Sequence, residues 1–399
     1  MLESLSYIFL LGMFLGYVFM KLRLPALVGM LLTGVILGSS GLGLLSPSIL
    51  SISLELRQIA LVIILMRAGL ALDIGALRRA GTSAIFLCFI PATFEIAGVV
   101  ILAPMLLGIS YLEAALMGAV LAAVSPAVVV PKMLKLTEEG YGVTKGIPQM
   151  IMAASSVDDL YVIVLFTALL NFGSGGEIAL TDFAQVPTSI ALGLVLGVAV
   201  GWLLVQYFKR FHLRDSLKMI ILMSVAFLFI TLESALKGRV AVSGLLATMA
   251  MGATILQLHE VLARRISPKF SKLWIAAEML LFVLVGASVD IGYLTHAGWE
   301  VVALLLLVIT WRMVGVFAAT LVGNFNFKER LFCMIAYIPK ATVQAAMGSI
   351  PLSMGLACGE LVLTVAVTAI FITAPLGALG IDLTYKSLLD VDQKNCKKS

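Results

Sequence analysis

Two adjacent acids sit in an apolar run, Ala153-Ala-Ser155-Ser156-Val-Asp158-Asp159-Leu-Tyr161. Neighbouring residues on a helix point about 100° apart, so only one carboxylate can aim straight at a given point. The other must face a neighbour or a basic partner. Two close carboxylates in a low-dielectric pocket do not both ionise easily, so the pair holds either a proton or a hard cation. Carboxylates, serine hydroxyls and free carbonyls are the ligands a small alkali cation wants, and no histidine or cysteine accompanies them to suit a soft metal. Asp158 and Asp159 are therefore the candidate ligands of Na⁺. Ser155 lies about one turn before the pair on the same face.

Five more ionisable groups fall inside apolar runs: Arg67, Glu95, Glu278, Arg312 and Lys340. Insertion scales charge about 2.5–3.5 kcal/mol for an Asp, Lys or Arg at the centre of a membrane helix. Each should face protein or water and find a partner. Lys340 is expected to neutralise free carbonyl ends or one of the aspartates, or to titrate and carry a proton itself where its amine is desolvated. Glu95 and Arg312 are natural partners for a structural clamp. Arg67 either pairs with Glu278 or caps a helix end.

The elements that position these groups follow from composition. The chain has 399 residues, of which 61% are hydrophobic and 12% charged, and its mean hydropathy is +1.11. Soluble domains are about 25% charged, so a cytosolic enzyme, a disordered regulator and a secreted scaffold are excluded. No enzyme activity and no cofactor are expected. The net charge of +5 is scattered over short loops, which argues for membrane orientation and against nucleic acid. Four cysteines show no paired spacing, and His212, His259 and His296 fall in loops. About 13 apolar segments suit membrane helices, near residues 4–20, 26–44, 56–72, 82–107, 113–134, 147–171, 187–208, 216–236, 240–258, 272–289, 299–323, 329–352 and 358–380. The first lacks a basic n-region and an A-x-A site, so it reads as a retained span. One set of alternating loops and the tail carry 21 of the 27 basic residues. That places the N-terminus outside and the C-terminus in the cytoplasm.

The string Gly69-Leu-Ala-Leu-Asp73-Ile-Gly-Ala-Leu77 matches Gly286-Ala-Ser-Val-Asp290-Ile-Gly-Tyr-Leu294 at an offset of 217 residues. Glu95 and Arg312 each follow the repeated aspartate by 22 residues. Six spans precede the seventh and six follow it, so the second unit starts on the opposite side. This is an inverted-topology repeat, a common plan of secondary transporters. The expected divisions are a first repeat over 1–175, a linker helix and loop over 176–214, a second repeat over 215–385 and a short cytoplasmic tail over 386–399. Prolines interrupt the two units at matching places: Ser125-Pro126 with Pro131, and Pro339-Lys340 with Pro351 further on. Proline lacks an N–H and clashes with the carbonyl one turn back. Unwound backbone at membrane depth is tolerated only where it is buried in protein or lines a watery cavity. Two such broken helices can cross near the midplane and offer helix ends and free carbonyls to a cation, with Ser125 at one break.

The strings VSPAVVVPKML (124–134), GYGVTKGIP (140–148), AASSVDDL (153–160) and IPKATVQAAMGSI (338–350) resemble the monovalent cation:proton antiporter superfamily. The resemblance is strongest to its NHA subgroup, the sodium/hydrogen exchanger 9B-like branch, and runs over roughly residues 20–380. It implies a homodimer whose core moves against a dimerisation domain; the family's numbering would make spans 3–5 and 10–12 the core, but the acid pair lies on span 6 here, so the repeat count assigns spans 4–6 and 11–13 to the core and spans 1–3 and 8–10 to the dimer side. It further implies that Asp159 is the principal ion and proton carrier with Asp158 beside it, and that Glu95, Arg312 and Lys340 match charged positions of the branch. In the electrogenic bacterial branch a core lysine pairs with the first aspartate; here Arg312 stands where that lysine is expected, and arginine does not release its proton. The resulting expectation is a secondary active Na⁺(Li⁺)/H⁺ antiporter of the bacterial inner membrane, working by elevator-like alternating access. The alternative is a sodium-coupled symporter of a small organic anion on a similar fold. An intramembrane aspartyl protease needs its two acids on separate helices, and a passive channel has no need of carboxylates poised to titrate.

Overall fold

In lipid, an apolar run has one local way to satisfy its own backbone N–H and C=O groups, which is helix. The computed structural model describes residues 1–71, 81–173, 180–236, 242–289 and 298–391, and helix dominates all of them. The chain opens with α1 (Leu2–Lys21), α2 (Ala26–Leu37), the short α3 (Pro47–Ser51) and α4 (Ser53–Ala71). It continues with α5 (Thr82–Leu87), α6 (Ile90–Leu107), α7 (Tyr111–Leu121), α8 (Pro126–Glu139) and α9 (Ile147–Gly173). Next come α10 (Leu180–Arg210), α11 (Asp215–Leu236), α12 (Gly244–Leu258) and α13 (Glu260–Ala287). The last are α14 (Gly298–Thr320), α15 (Phe327–Ala336), α16 (Thr342–Met347), α17 (Ile350–Ser353) and α18 (Gly359–Leu388).

Nine helical stretches among the described residues are long and apolar enough to cross a membrane, with α5–α6 counted as one and α7–α8 as another. α2 and α12 are apolar but shorter. Several expected segments differ in detail. The run 82–107 is interrupted at residues 88 and 89, just ahead of Pro91 in the first turn of α6, where the missing N–H does no harm. The run expected from 272 begins instead at Glu260, so Arg264, Arg265, Lys269 and Lys272 lie on helix and not in a loop. Ion pairs from Arg264 to Glu260 and from Arg265 to Asp215 hold that stretch. The repeated Asp73 and Asp290, His296 and the KNCKKS tail lie outside the described residues.

The chain forms two compact units. One contains residues 1–51, 74–163 and 282–399, and the other residues 52–73 and 164–281. Each unit therefore draws on both sequence halves. Spans 1 and 2 group with the expected core spans, and span 3 groups with spans 7–10.

In the smaller unit, helices approach until only glycine fits. A Cβ on Gly197 of α10 would run into the Ala247 carbonyl of α12, and one on Gly69 of α4 into the Met249 carbonyl. Gly193, Gly197 and Gly201 repeat at four-residue spacing along that contact, the small-xxx-small pattern of membrane helix pairs. Glu278 of α13 lies within electrostatic reach of Arg67 on α4.

In the larger unit, the loop from α8 to α9 carries Gly140, Gly142 and Gly146 at positive φ. The end of α18 clasps this loop. The Gly142 N–H donates to the Asp390 carbonyl at 2.8 Å, Tyr141 forms an isolated bridge with Val391, and the Tyr385 hydroxyl donates to Glu139 at 2.8 Å. On the other side, Lys145 pairs with the buried Glu329 at 2.8 Å. Glu329 also closes a capping box with Asn326 at the start of α15. Glu329→Ala removes half the box and the lysine's partner. It is expected to cost about 1–2 kcal/mol, read as a drop of a few degrees in the detergent melting midpoint with ion exchange retained.

Candidate functional site

Both proline-marked runs are broken in the larger unit. α7 ends at Leu121, residues 122–125 are unwound, and α8 restarts with Pro126 as its first residue. Pro126 has no N–H to offer the preceding turn and disfavours helix at Ser125. Pro131 is accommodated inside α8. α15 ends at Ala336, residues 338–341 are unwound around Pro339, and α16 restarts at Thr342. The two breaks meet: the Ser125 N–H donates to the Pro339 carbonyl at 2.8 Å.

Every helix end buried in this way must find partners for its orphaned carbonyls and N–H groups. The partners here are side chains. Lys340 Nζ donates to the Leu121 carbonyl at 2.6 Å, and Arg312 Nη1 donates to the Ala122 carbonyl. Gln344 Nε2 reaches the carbonyls of Val120, Leu121 and Ala123 at 3.2, 3.1 and 3.0 Å. The Val124 N–H donates to Asp158 Oδ2 at 2.8 Å. At the second break, Arg312 Nε donates to the Tyr337 carbonyl at 2.9 Å, and the Lys340 N–H donates to the Thr373 hydroxyl at 3.0 Å.

The same basic groups hold the acids. Arg312 pairs with Glu95 at 2.8 Å and with Asp158 at 3.0 Å, and it lies 5.5 Å from the centre of the Tyr337 ring. Lys340 pairs with Glu95 at 2.6 Å. Glu95, Asp158, Arg312 and Lys340 are each exposed by 1% or less. Asp159 is half-buried and within electrostatic reach of Asp158 and Arg312. Among the described residues it makes no ion pair, and its Oδ1 has no hydrogen-bond partner. Asp158 Oδ1, the Ser125 and Thr342 hydroxyls and Gln344 Oε1 are likewise buried without a partner.

The candidate residues thus fall into three groups. Asp158, Glu95, Arg312 and Lys340 form one connected cluster at the crossing. Asp159 and Ser125 stand beside it with free oxygens. Ser155 is buried, but its hydroxyl donates to the Met152 carbonyl in its own helix at 3.1 Å. Lys340 settles on carbonyl ends and Glu95 and makes no ion pair with either aspartate. Gln344 and Thr373 join the crossing without having been singled out by residue type and spacing. The one signal for Gln344 is a lone neutral amide four residues after Lys340 in an otherwise apolar run. Nothing local marks Thr373 among the many threonines of apolar helices.

A family model described as sodium/hydrogen exchanger, transmembrane, matches residues 8–385. The chain belongs to the sodium/hydrogen exchanger family. Its similarity to sodium/hydrogen exchanger 9B2 of Mus musculus is 36% identity over 376 residues, covering 90% of this chain and 68% of that protein. Sodium/hydrogen exchanger 9B1 of Homo sapiens is 35% identical over 336 residues, covering 81% of this chain and 64% of that protein. The fold matches that of the sodium proton antiporter MjNhaP1 from Methanocaldococcus jannaschii with a TM-score of 0.82 at 20% identity, covering 96% of this chain and 97% of that one. The exchanger family accounts for the multi-pass apolar helices, and the chain's place in it makes it a membrane transport protein of the sodium/proton antiport class.

Proposed function

We propose that this exchanger is a secondary active antiporter of Na⁺ or Li⁺ for H⁺ whose shared site is Asp159, with Asp158 and Ser125 beside it. The observation that carries the reading is the unequal pairing at the crossing: three acids (Glu95, Asp158, Asp159) face two bases (Arg312, Lys340), and Asp159 is the acid without an ion-pair partner. Arginine stays charged at any accessible pH. With every group ionised the cluster carries one surplus negative charge. One proton or one sodium ion cancels it.

That arithmetic makes antiport out of competition. An occupied site is neutral and can pass through an apolar barrier, whereas an empty ionised site carries an uncompensated charge, and burying such a charge costs several kcal/mol even after relaxation. The moving core therefore changes sides loaded with one ion or the other. An elevator-like shift of spans 4–6 and 11–13, thirteen spans in an inverted repeat, a homodimer, an outside N-terminus and an inner-membrane location belong to the same proposal. The symporter alternative draws no support from the family, the relatives or the fold.

The test is the purified protein in proteoliposomes with an internal pH dye. External Na⁺ or Li⁺ should dissipate an acid-inside gradient with no organic anion present; a requirement for such an anion would return the symporter. Protons and sodium compete, so the apparent KM for Na⁺ should fall as pH rises, by up to about tenfold per unit while the site remains mostly protonated. A KM independent of pH would exclude a shared site. With Lys340 held by Glu95, the count gives one proton per sodium, so a potassium/valinomycin clamp should leave the rate unchanged. A voltage-dependent rate would mean that Lys340 releases a second proton.

A further inference from the structure

The four carbonyls from Val120 to Ala123 are the free backbone of the first break, and each is taken by a side-chain donor. Two of the donors, Lys340 and Arg312, are charged members of the ion-pair cluster. The third, Gln344, is neutral, fully buried and contributed by α16 across the crossing. Its Nε2 faces three carbonyl acceptors, which fixes the orientation of the amide and turns Oε1 away from them, where it has no partner.

Unwound carbonyls at membrane depth have a known chemistry. Several weak dipolar oxygens together replace the hydration shell of a large, weakly hydrated cation such as K⁺. A small cation of high charge density gains more from carboxylate oxygens. We propose that Gln344 is a specificity-determining residue: by occupying the Val120 and Ala123 carbonyls, and sharing the Leu121 carbonyl with Lys340, it withholds them from the ion. The cation is left with carboxylate and hydroxyl oxygens, and the site favours Li⁺ and Na⁺ over K⁺. Gln344 acts on the ion through backbone it holds and leaves the charge balance of the cluster untouched. This inference rests on exchange at Asp159 as proposed above.

The experiment measures apparent KM and maximal rate for Li⁺, Na⁺ and K⁺ with the full chain in proteoliposomes. Gln344→Met keeps the volume and removes the donor. It should raise the K⁺-to-Na⁺ ratio of rate over KM by about tenfold, the equivalent of about 1.4 kcal/mol. Gln344→Asn keeps an amide on a shorter stem and should shift the ratio less, in the same direction. It decides the matter if the methionine variant does not fold. A folded variant with an unchanged ion ratio overturns the proposal, as does an equal loss for all three ions, which is what a purely structural cap would give. Wild type without Na⁺/H⁺ exchange, or full exchange in Asp159→Asn, would instead overturn the antiport reading, and this inference with it.

Discussion

Asp159→Asn is expected to give a folded protein whose Na⁺-driven proton flux falls to that of protein-free vesicles. Asparagine has nearly the volume of aspartate, and the Asp159 side chain makes no ion pair that the change would break. Its amide binds no proton near neutral pH and brings no net charge to a cation. The cluster would then hold two acids against two bases and stay neutral without cargo. The melting midpoint should hold, and the stabilisation that Na⁺ gives the wild type by mass action should vanish. Asp158→Asn should behave differently. Its carboxylate accepts from both Arg312 and the Val124 N–H, so the change weakens the first break as well as the ion site and should lower stability along with rate. If Asp159→Asn retains full exchange while Asp158→Asn abolishes it without loss of stability, the two roles have been assigned the wrong way round.

The second large effect is structural. Arg312 donates to Glu95, Asp158, the Tyr337 carbonyl and the Ala122 carbonyl, so one guanidinium joins two acids to the unwound backbone of both broken helices. Its fork of five donors suits that task in a way an ammonium cannot match. Arg312→Met leaves two buried carboxylates and two carbonyls short of a donor. Breaking a buried ion pair by removing one partner costs about 3–5 kcal/mol. The variant should therefore melt far below the wild type in detergent and show no exchange. Adding Glu95→Gln removes one of the stranded charges and should restore part of the lost stability. The two changes should couple strongly, because the residues touch. A single variant as stable as the wild type would show that the clamp does not hold the crossing together.

Local chemistry makes much of this protein legible in its residues. Proline without an N–H favours a break where it falls behind an apolar helix, and the runs at Ser125-Pro126 and at Pro339 are both interrupted. The long apolar runs read as membrane helices, and adjacent acids in such a run read as a candidate site for a proton or hard cation. Motif strings pointed to the exchanger family that the family model and relatives then showed. Proline position alone did not determine the outcome: Pro131 and Pro268 sit inside continuous helices.

The tertiary structure decided which partner each charge takes. Sequence spacing allowed either aspartate to aim at a base, and packing turned Asp158 to Arg312 and Val124 while leaving Asp159 outside the ion pairs. Lys340 could have neutralised an aspartate; the crossing placed Leu121 and Glu95 within its reach instead. Gln344 became a cap because α16 passes the end of α7, more than 200 residues earlier in the chain. Helix and break are set by bonds to residues a turn away, so a window of sequence contains their cause. Charge pairing across the crossing depends on which segments the fold brings side by side, and no window of sequence contains that.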